Sequence, residues 1–175
     1  MDNLHDLDSD PAVMRYVTSG PPTPRDAIRD DILPAFLGYY ARTDGYGFWA
    51  AIARSGGDFL GWFHFRPLPD SPPDEPKLGY RLRRPARGHG YGTAGSRALI
   101  DHGCTALGVR RVVASAAADN LAPRRVMEKA GLTLVRTYRE GCPDLSDGVE
   151  QEDVEYALTR EEWERQRTAW ADTAT

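Results

Sequence analysis

The chain changes its hydrophobic period between Lys77 and Leu107, and that change constrains its fold more than any other feature. Lys77 to Arg83 alternates as a half-buried strand does. Leu99, Ile100, Gly103, Cys104 and Leu107 fall in one band at helical spacing, which predicts a helix over Gly90 to Leu107. The join is Arg83-Arg84-Pro85-Ala86-Arg87-Gly88-His89-Gly90-Tyr91-Gly92-Thr93, where arginines and alternate glycines lead a strand directly into a helix. Glycine lets the backbone approach a ligand closely, and the first helical turn leaves its amides unpaired at the positive end of the helix dipole. Such a turn suits a pyrophosphate, with Arg87 adding charge-assisted hydrogen bonds. A glycine-rich turn with solvated arginines is the plainer alternative, and glycine spacing alone does not separate the two.

Gly90-Tyr91-Gly92-Thr93-Ala94-Gly95 also fits GxGxxG, and Asp119 ends the following strand, the outline of a dinucleotide-binding unit. Three features oppose that reading. Arg83 to Arg87 separates the strand from the first glycine, where the fingerprint wants an immediate tight turn. The preceding strand belongs to an antiparallel meander. Too little chain remains to build the second half of such a fold.

Around the join the elements follow from local signals. Asp10 caps a short helix with Pro11 in its first turn, and Ser19-Gly20-Pro21-Pro22 breaks it. Thr23-Pro24 opens a second helix carrying Ile28, Ile32 and Phe36 on one face, which Pro34 kinks or divides. Tyr46 to Arg54 and Phe59 to Arg66 form a hairpin across Ser55-Gly56-Gly57-Asp58, and the proline-rich Pro67 to Pro76 connects it to the next strand. Arg111 to Ala116 is a strand, and Pro123 to Ala130 a helix stopped by Gly131. Leu132 to Tyr138 and Val154 to Leu158 are strands joined by a polar, Gly-rich stretch, and Thr159 caps a charged helix reaching Ala171. The order is α+β with a mixed, mostly antiparallel sheet flanked by helices.

At 175 residues the expectation is a single domain over 1–175. The net charge of −4 argues against a general nucleic-acid surface. The acidic start Met1-Asp2-Asn3-Leu4-His5-Asp6 lacks the basic and apolar regions of a secretory signal, and no apolar run is long enough for a bilayer. No membrane partner and a cytoplasmic location are therefore expected. Cys104 and Cys142 are too few for a disulfide framework, and Cys104 falls on an apolar helix face as a small buried hydrophobe. No Cys/His spacing suggests a metal.

Arg87-Gly88-His89-Gly90-Tyr91-Gly92 resembles the Arg/Gln-x-x-Gly-x-Gly/Ala motif of GNAT-superfamily N-acetyltransferases. Asn120, the segment Leu121 to Ala130 and Gly131 resemble the family's downstream Asn, helix and glycine. Leu78-Gly79-Tyr80-Arg81-Leu82 and the closing Tyr156-Ala157-Leu158-Thr159-Arg160-Glu161-Glu162-Trp163 are similar to the RimJ/RimL-like branch. The detailed match runs from about residue 77 to 132, with looser similarity from Asp10 to Trp163. The resemblance implies a GNAT-like sheet whose splayed central strands hold acetyl-CoA as co-substrate. It implies that Leu82 and Arg83 offer backbone groups to the pantetheine arm. It places the pyrophosphate on Arg87, Gly88, His89, Gly90, Tyr91, Gly92 and Thr93, and Asn120 near the thioester. Asn120 also reads as the cap of the helix that follows. The implied activity is acetyl transfer to a primary amine, either a small molecule or a peptide or protein N-terminus.

The sequence departs from that pattern where protons move. Pro123 stands where the branch often has Ser, Met127 where other members carry a Tyr acid, and Lys77 where a Glu frequently precedes the strand. Glu75, two residues upstream, is a candidate base acting through water, with a solvated loop carboxylate as its plainer reading. His64 has a suitable intrinsic pKa and an unknown facing. These departures leave a non-catalytic acyl-CoA-binding module as the alternative. Family members usually begin with a strand that is missing here, and an open sheet edge favours a homodimer.

Overall fold

The computed structural model describes residues 1–17, 22–42, 44–140 and 151–173. Four short helical pieces come first: α1 (Asp2–Asp8), α2 (Pro11–Met14), α3 (Arg25–Ala27) and α4 (Leu33–Gly38). Then follow β1 (Gly47–Ile52), β2 (Phe59–Arg66), β3 (Lys77–Leu82), α5 (Tyr91–Ala106), β4 (Arg111–Ala117), α6 (Leu121–Lys129), β5 (Thr133–Glu140), β6 (Gln151–Thr159) and α7 (Arg160–Thr173). The strands form one mixed sheet in the order β1-β2-β3-β4-β6-β5. All neighbours are antiparallel except β3 and β4. The predicted α+β architecture is the one observed.

Local chemistry explains most boundaries. The Asp10 carboxylate accepts from the Ala12 amide at 2.9 Å, capping α2. A π-helical turn, Ile28–Ile32, joins α3 to α4 immediately before Pro34. Proline supplies no N–H to the preceding turn, so the ladder widens there instead of breaking. Thr159 and Glu162 form a reciprocal capping box on α7: the Glu162 amide donates to the Thr159 hydroxyl at 3.2 Å, and the Thr159 amide donates to the Glu162 carboxylate at 2.8 Å.

Three features were not legible in the sequence. Helix α1 was not legible, since Met1 gives it no side-chain cap; Leu7 and Asp8, both buried, hold it to the sheet. Helix α6 begins at Leu121, ahead of Pro123. The loop from Pro67 to Pro76 is tied down, because Tyr46 donates to the Pro73 carbonyl at 2.9 Å and the Arg110 amide to the Asp74 carbonyl at 3.0 Å. Ser19, Gly20 and Pro21 of the predicted break, most of the polar stretch before Val154, and Cys142 lie outside the described residues.

The main core packs one sheet face against α5, α6 and α7, with Phe65, Leu78, Ile100, Val112, Met127, Tyr156 and Trp163 at its centre. Two glycines let α5 lie close to the sheet. A Cβ at Gly95 would come within 2.3 Å of the Phe63 ring, and one at Gly103 within 2.6 Å of Phe65. Gly95, the last glycine of the apparent dinucleotide fingerprint, is thus a packing residue. On the opposite face, Leu7, Val13 and Met14 of the N-terminal helices cover Phe59 and Trp62.

Candidate active site

Strands β3 and β4 run parallel but pair only at Lys77 and Val113, where the Val113 amide donates to the Pro76 carbonyl at 3.1 Å. Beyond that point they diverge. The predicted splay is therefore present, closed at Lys77 and open towards Leu82 and Ala117. Register shows which peptide groups enter the gap. The Arg83 amide donates to Leu60 of β2 at 2.9 Å, so alternate residues of β3 turn towards β2, and Tyr80 and Leu82 turn into the gap. Across the gap, the Ala118 amide donates to Glu152 of β6 at 2.8 Å, which by the same alternation aims Ser115 and Ala117 at β3.

These strands line a cleft of about 630 Å³ that continues to Gly88, Gly90, Tyr91, Gly92 and Thr93 at the start of α5. Gly88 and Gly90 hold φ of 80° and 81° with open space where a Cβ would stand, so conformation rather than crowding requires glycine. Gly90 caps α5 in the left-handed region without a side-chain bond, and its carbonyl accepts from Ala94 at 2.9 Å. The amides of the first turn are left to a ligand. The cleft is also lined by Arg87, Arg125 and Lys129.

The candidate residues fall into two groups. Leu82, Arg87, Gly88, Gly90, Tyr91, Gly92, Thr93, Asn120 and His64 all line the cleft. Asn120 precedes α6 without a side-chain cap bond, so its amide group is not spent on the helix. Arg87 turns inward, donating to the carbonyls of Leu82 at 3.3 Å and Ala12 at 3.2 Å. His89, Arg83 and Glu75 do not line the cleft. His89 is exposed and packs on Tyr91, with ring centroids 5.9 Å apart. The Arg83 side chain reaches Asn3 and Asp6 of α1, at 3.3 Å each, and its amide is spent on Leu60. Glu75 sits beyond the closed end, where its carboxylate accepts from Arg111 at 3.3 Å. Arg111 also pairs with Glu155 at 3.5 Å. A carboxylate held in that network is poorly placed to take a proton from an acceptor in the cleft.

His64 faces the cleft wall above Gly79, whose missing Cβ makes room for the ring. Burial, reinforced by Arg66 and Lys77, lowers its pKa to about 3, and its Nδ1 is buried without a hydrogen-bond partner. It is a neutral imidazole and a weak base. Tyr80 lies between Phe63 and Gly92, and burial raises its pKa to about 12. It keeps its proton, so it can donate a hydrogen bond without transferring the proton. Burial likewise pushes the Cys104 thiol up to about 11, leaving it an inert core residue. Among the described residues no three His, Cys, Asp or Glu side chains gather as a metal site, and no helix is long and apolar enough to cross a membrane.

Residues 1–133 match the acetyltransferase (GNAT) domain. The chain is 32% identical over 166 residues to the FsC-acetyl coenzyme A-N(2)-transacetylase of Aspergillus fumigatus, covering 91% of this chain and 69% of that protein. Its fold is similar to a GNAT-family acetyltransferase from Bacillus anthracis, with TM-score 0.71, 19% identity, and coverage of 91% of this chain and 89% of the other. It is also similar to a Vibrio cholerae spermidine N-acetyltransferase in complex with CoA and spermine, with TM-score 0.70, 13% identity and the same two coverages, 91% and 89%. The chain belongs to the GNAT acetyltransferase family, and it is an acetyl-CoA-dependent acyltransferase.

Proposed function

We propose that the chain moves the acetyl group of acetyl-CoA to a primary amine, a small molecule or a peptide N-terminus. One observation carries this reading: the gap between β3 and β4 leads without interruption to the unpaired amides of α5. The coenzyme pyrophosphate sits on Gly88 to Thr93, with Arg125 and Lys129 nearby. The pantetheine arm runs between Tyr80 and Leu82 on one side and Ser115 and Ala117 on the other, adding a strand-like bridge where the sheet lacks one. Asn120 lies beside that arm. Within the family, Leu78-Gly79-Tyr80 and the β6–α7 close favour the RimJ/RimL-like branch. The chain acts as one domain, and the cytoplasm, where acetyl-CoA is available, is where it works.

The amine nitrogen attacks the thioester carbon, the C–S bond breaks, and the thiolate leaves carrying the electron pair. Peptide N–H groups of the gap stabilise the oxyanion in between. His64, with its pKa near 3, does not deprotonate an ammonium, and Tyr80, near 12, is a weaker acid than a thiol. The amine therefore arrives neutral or loses its proton to water, and the thiolate collects one from solvent. Among the described residues no strand covers the outer edges of β1 and β5, which supports pairing with a second copy.

Thiol release from acetyl-CoA in the presence of peptides, diamines and amino acids tests the reading, with coenzyme A binding followed in parallel. Turnover should show kcat/KM rising with pH as the amine deprotonates and no inflection near 6.5. Failure to bind coenzyme A would overturn the reading. An inflection near 6.5 that disappears in His64→Leu would restore His64 as the base.

A further inference from the structure

Charge is distributed unevenly along the cleft. Among the described residues no Asp or Glu lines it, whereas Lys77, Arg81, Arg87, Arg125 and Lys129 do. A coenzyme with its phosphates matches the last three. Arg81 is neutralised, since it pairs with the buried Asp8 at 2.5 Å and stacks on Trp62 with its guanidinium 5.1 Å from the ring.

Lys77, at the closed end, has no such partner. Among the described residues its side chain makes no ion pair and no hydrogen bond. Its antiparallel neighbour in register is Arg66, and like charges directly opposite on a sheet repel. Among the described residues Arg66 has no carboxylate partner either. It stacks over Tyr39 at 5.6 Å and Phe48 at 5.4 Å, donates one long bond to the Tyr39 hydroxyl at 3.4 Å, and buries Nε without a partner. Trp62 Nε1 and His64 Nδ1, at the preceding same-face positions of β2, are buried and unpaired as well. A cationic acceptor would meet repulsion here and, among the described residues that line the cleft, no carboxylate. An anion would relieve the Lys77–Arg66 repulsion.

Resting on the amine-transfer reading, we propose that Lys77, backed by Arg66, binds a carboxylate of the acceptor. The acceptor class is then amino acids and amines derived from them, and polyamines are excluded. Lys77 is a specificity-determining residue: it holds the acid group at the closed end while the amine is presented to the thioester.

The test uses pairs differing by one carboxylate: lysine with cadaverine, ornithine with putrescine, and dipeptides with their C-terminal amides. In thiol-release assays the acid-bearing member should have a kcat/KM about tenfold or more higher, the range of one charge-assisted contact. Lys77→Glu should invert that preference while leaving coenzyme A affinity unchanged, and Lys77→Met should erase it. Equal or better turnover of cadaverine and putrescine would overturn the proposal, as would an unchanged preference in Lys77→Glu. Should no pair turn over, product binding decides. The coenzyme A-loaded protein should bind 4-acetamidobutyrate about tenfold more tightly than N-butylacetamide, and Lys77→Glu should remove the difference. Absence of that difference in the wild type would also overturn the proposal. Loss of coenzyme A binding itself would instead strike the acetyltransferase reading on which it rests.

Discussion

His64 stands over Gly79 with its imidazole desolvated and the charges of Arg66, Lys77 and Arg81 in its field. Its folded pKa is about 3, against an ordinary value of 6.5. Between those values the unfolded chain holds a proton that the folded chain refuses, so stability falls as pH drops through that window and is unaffected above it. By pH 5 the loss reaches at most about 2 kcal/mol. Urea unfolding at pH 7.5 and pH 5 should show this component in the wild type and not in His64→Leu. Equal pH dependence in both would mean a solvated imidazole. The residue's chemistry was legible from its type, but its facing was not, and the same holds for Glu75, whose pairing with Arg111 depends on strands distant in sequence. Gly88 and Gly90 were legible because only glycine takes their conformation cheaply. Tyr80, Ser115 and Ala117 could not be read as cofactor residues because they serve the gap through peptide groups, which leave no mark on side-chain identity.

Helices with polar caps announced themselves, and the uncapped one did not. Asp10 and Thr159 were both readable as caps, and both make the expected bonds. Helix α1 has no such signal; it is held by Leu7 in the small core beneath Phe59 and Trp62 and by Asp8 on Arg81. The π-turn before Pro34 was half readable, since proline marks the disturbance but packing decides whether a helix breaks or widens. The α7 capping box permits a clean measurement. Thr159→Ala removes the hydroxyl that receives the Glu162 amide and should cost about 1 kcal/mol of unfolding free energy. Glu162→Gln keeps the reciprocal bond and should cost less. A loss in Thr159→Ala below the scatter of replicate denaturation curves would mean that Trp163, bonded to Asp101 at 2.6 Å and buried in the main core, holds α7 without the cap.

The sheet is two halves, β1-β2-β3 and β4-β6-β5, joined by one parallel pair at Lys77 and Val113. Sequence patterning predicts strands and their faces but does not report where two neighbours cease to pair, so the splay was reachable through family resemblance alone. The main core spans both halves, with Phe65 and Leu78 from one and Val112, Ala114 and Tyr156 from the other. It holds them together below the gap, while the peptide groups of Tyr80, Leu82, Ser115 and Ala117 get no partner from across it. A pantetheine arm placed there bonds to both halves, and pyrophosphate on α5 fixes the helix that lies over Phe63 and Phe65. Coenzyme A should therefore stabilise the whole molecule. At a hundred times its dissociation constant the gain is about 2.7 kcal/mol, a rise in Tm of roughly 5 to 10 °C for a domain of this size. Amide exchange should slow most at Tyr80, Leu82, Ser115 and Ala117 and in the first turn of α5, while β1 and the cap of α7 change little. NADH at the same concentration should leave Tm where it was. A coenzyme-induced rise with protection confined to α5 would place the phosphates correctly and leave the pantetheine outside the gap. Protection on both gap strands would show that the coenzyme completes the sheet.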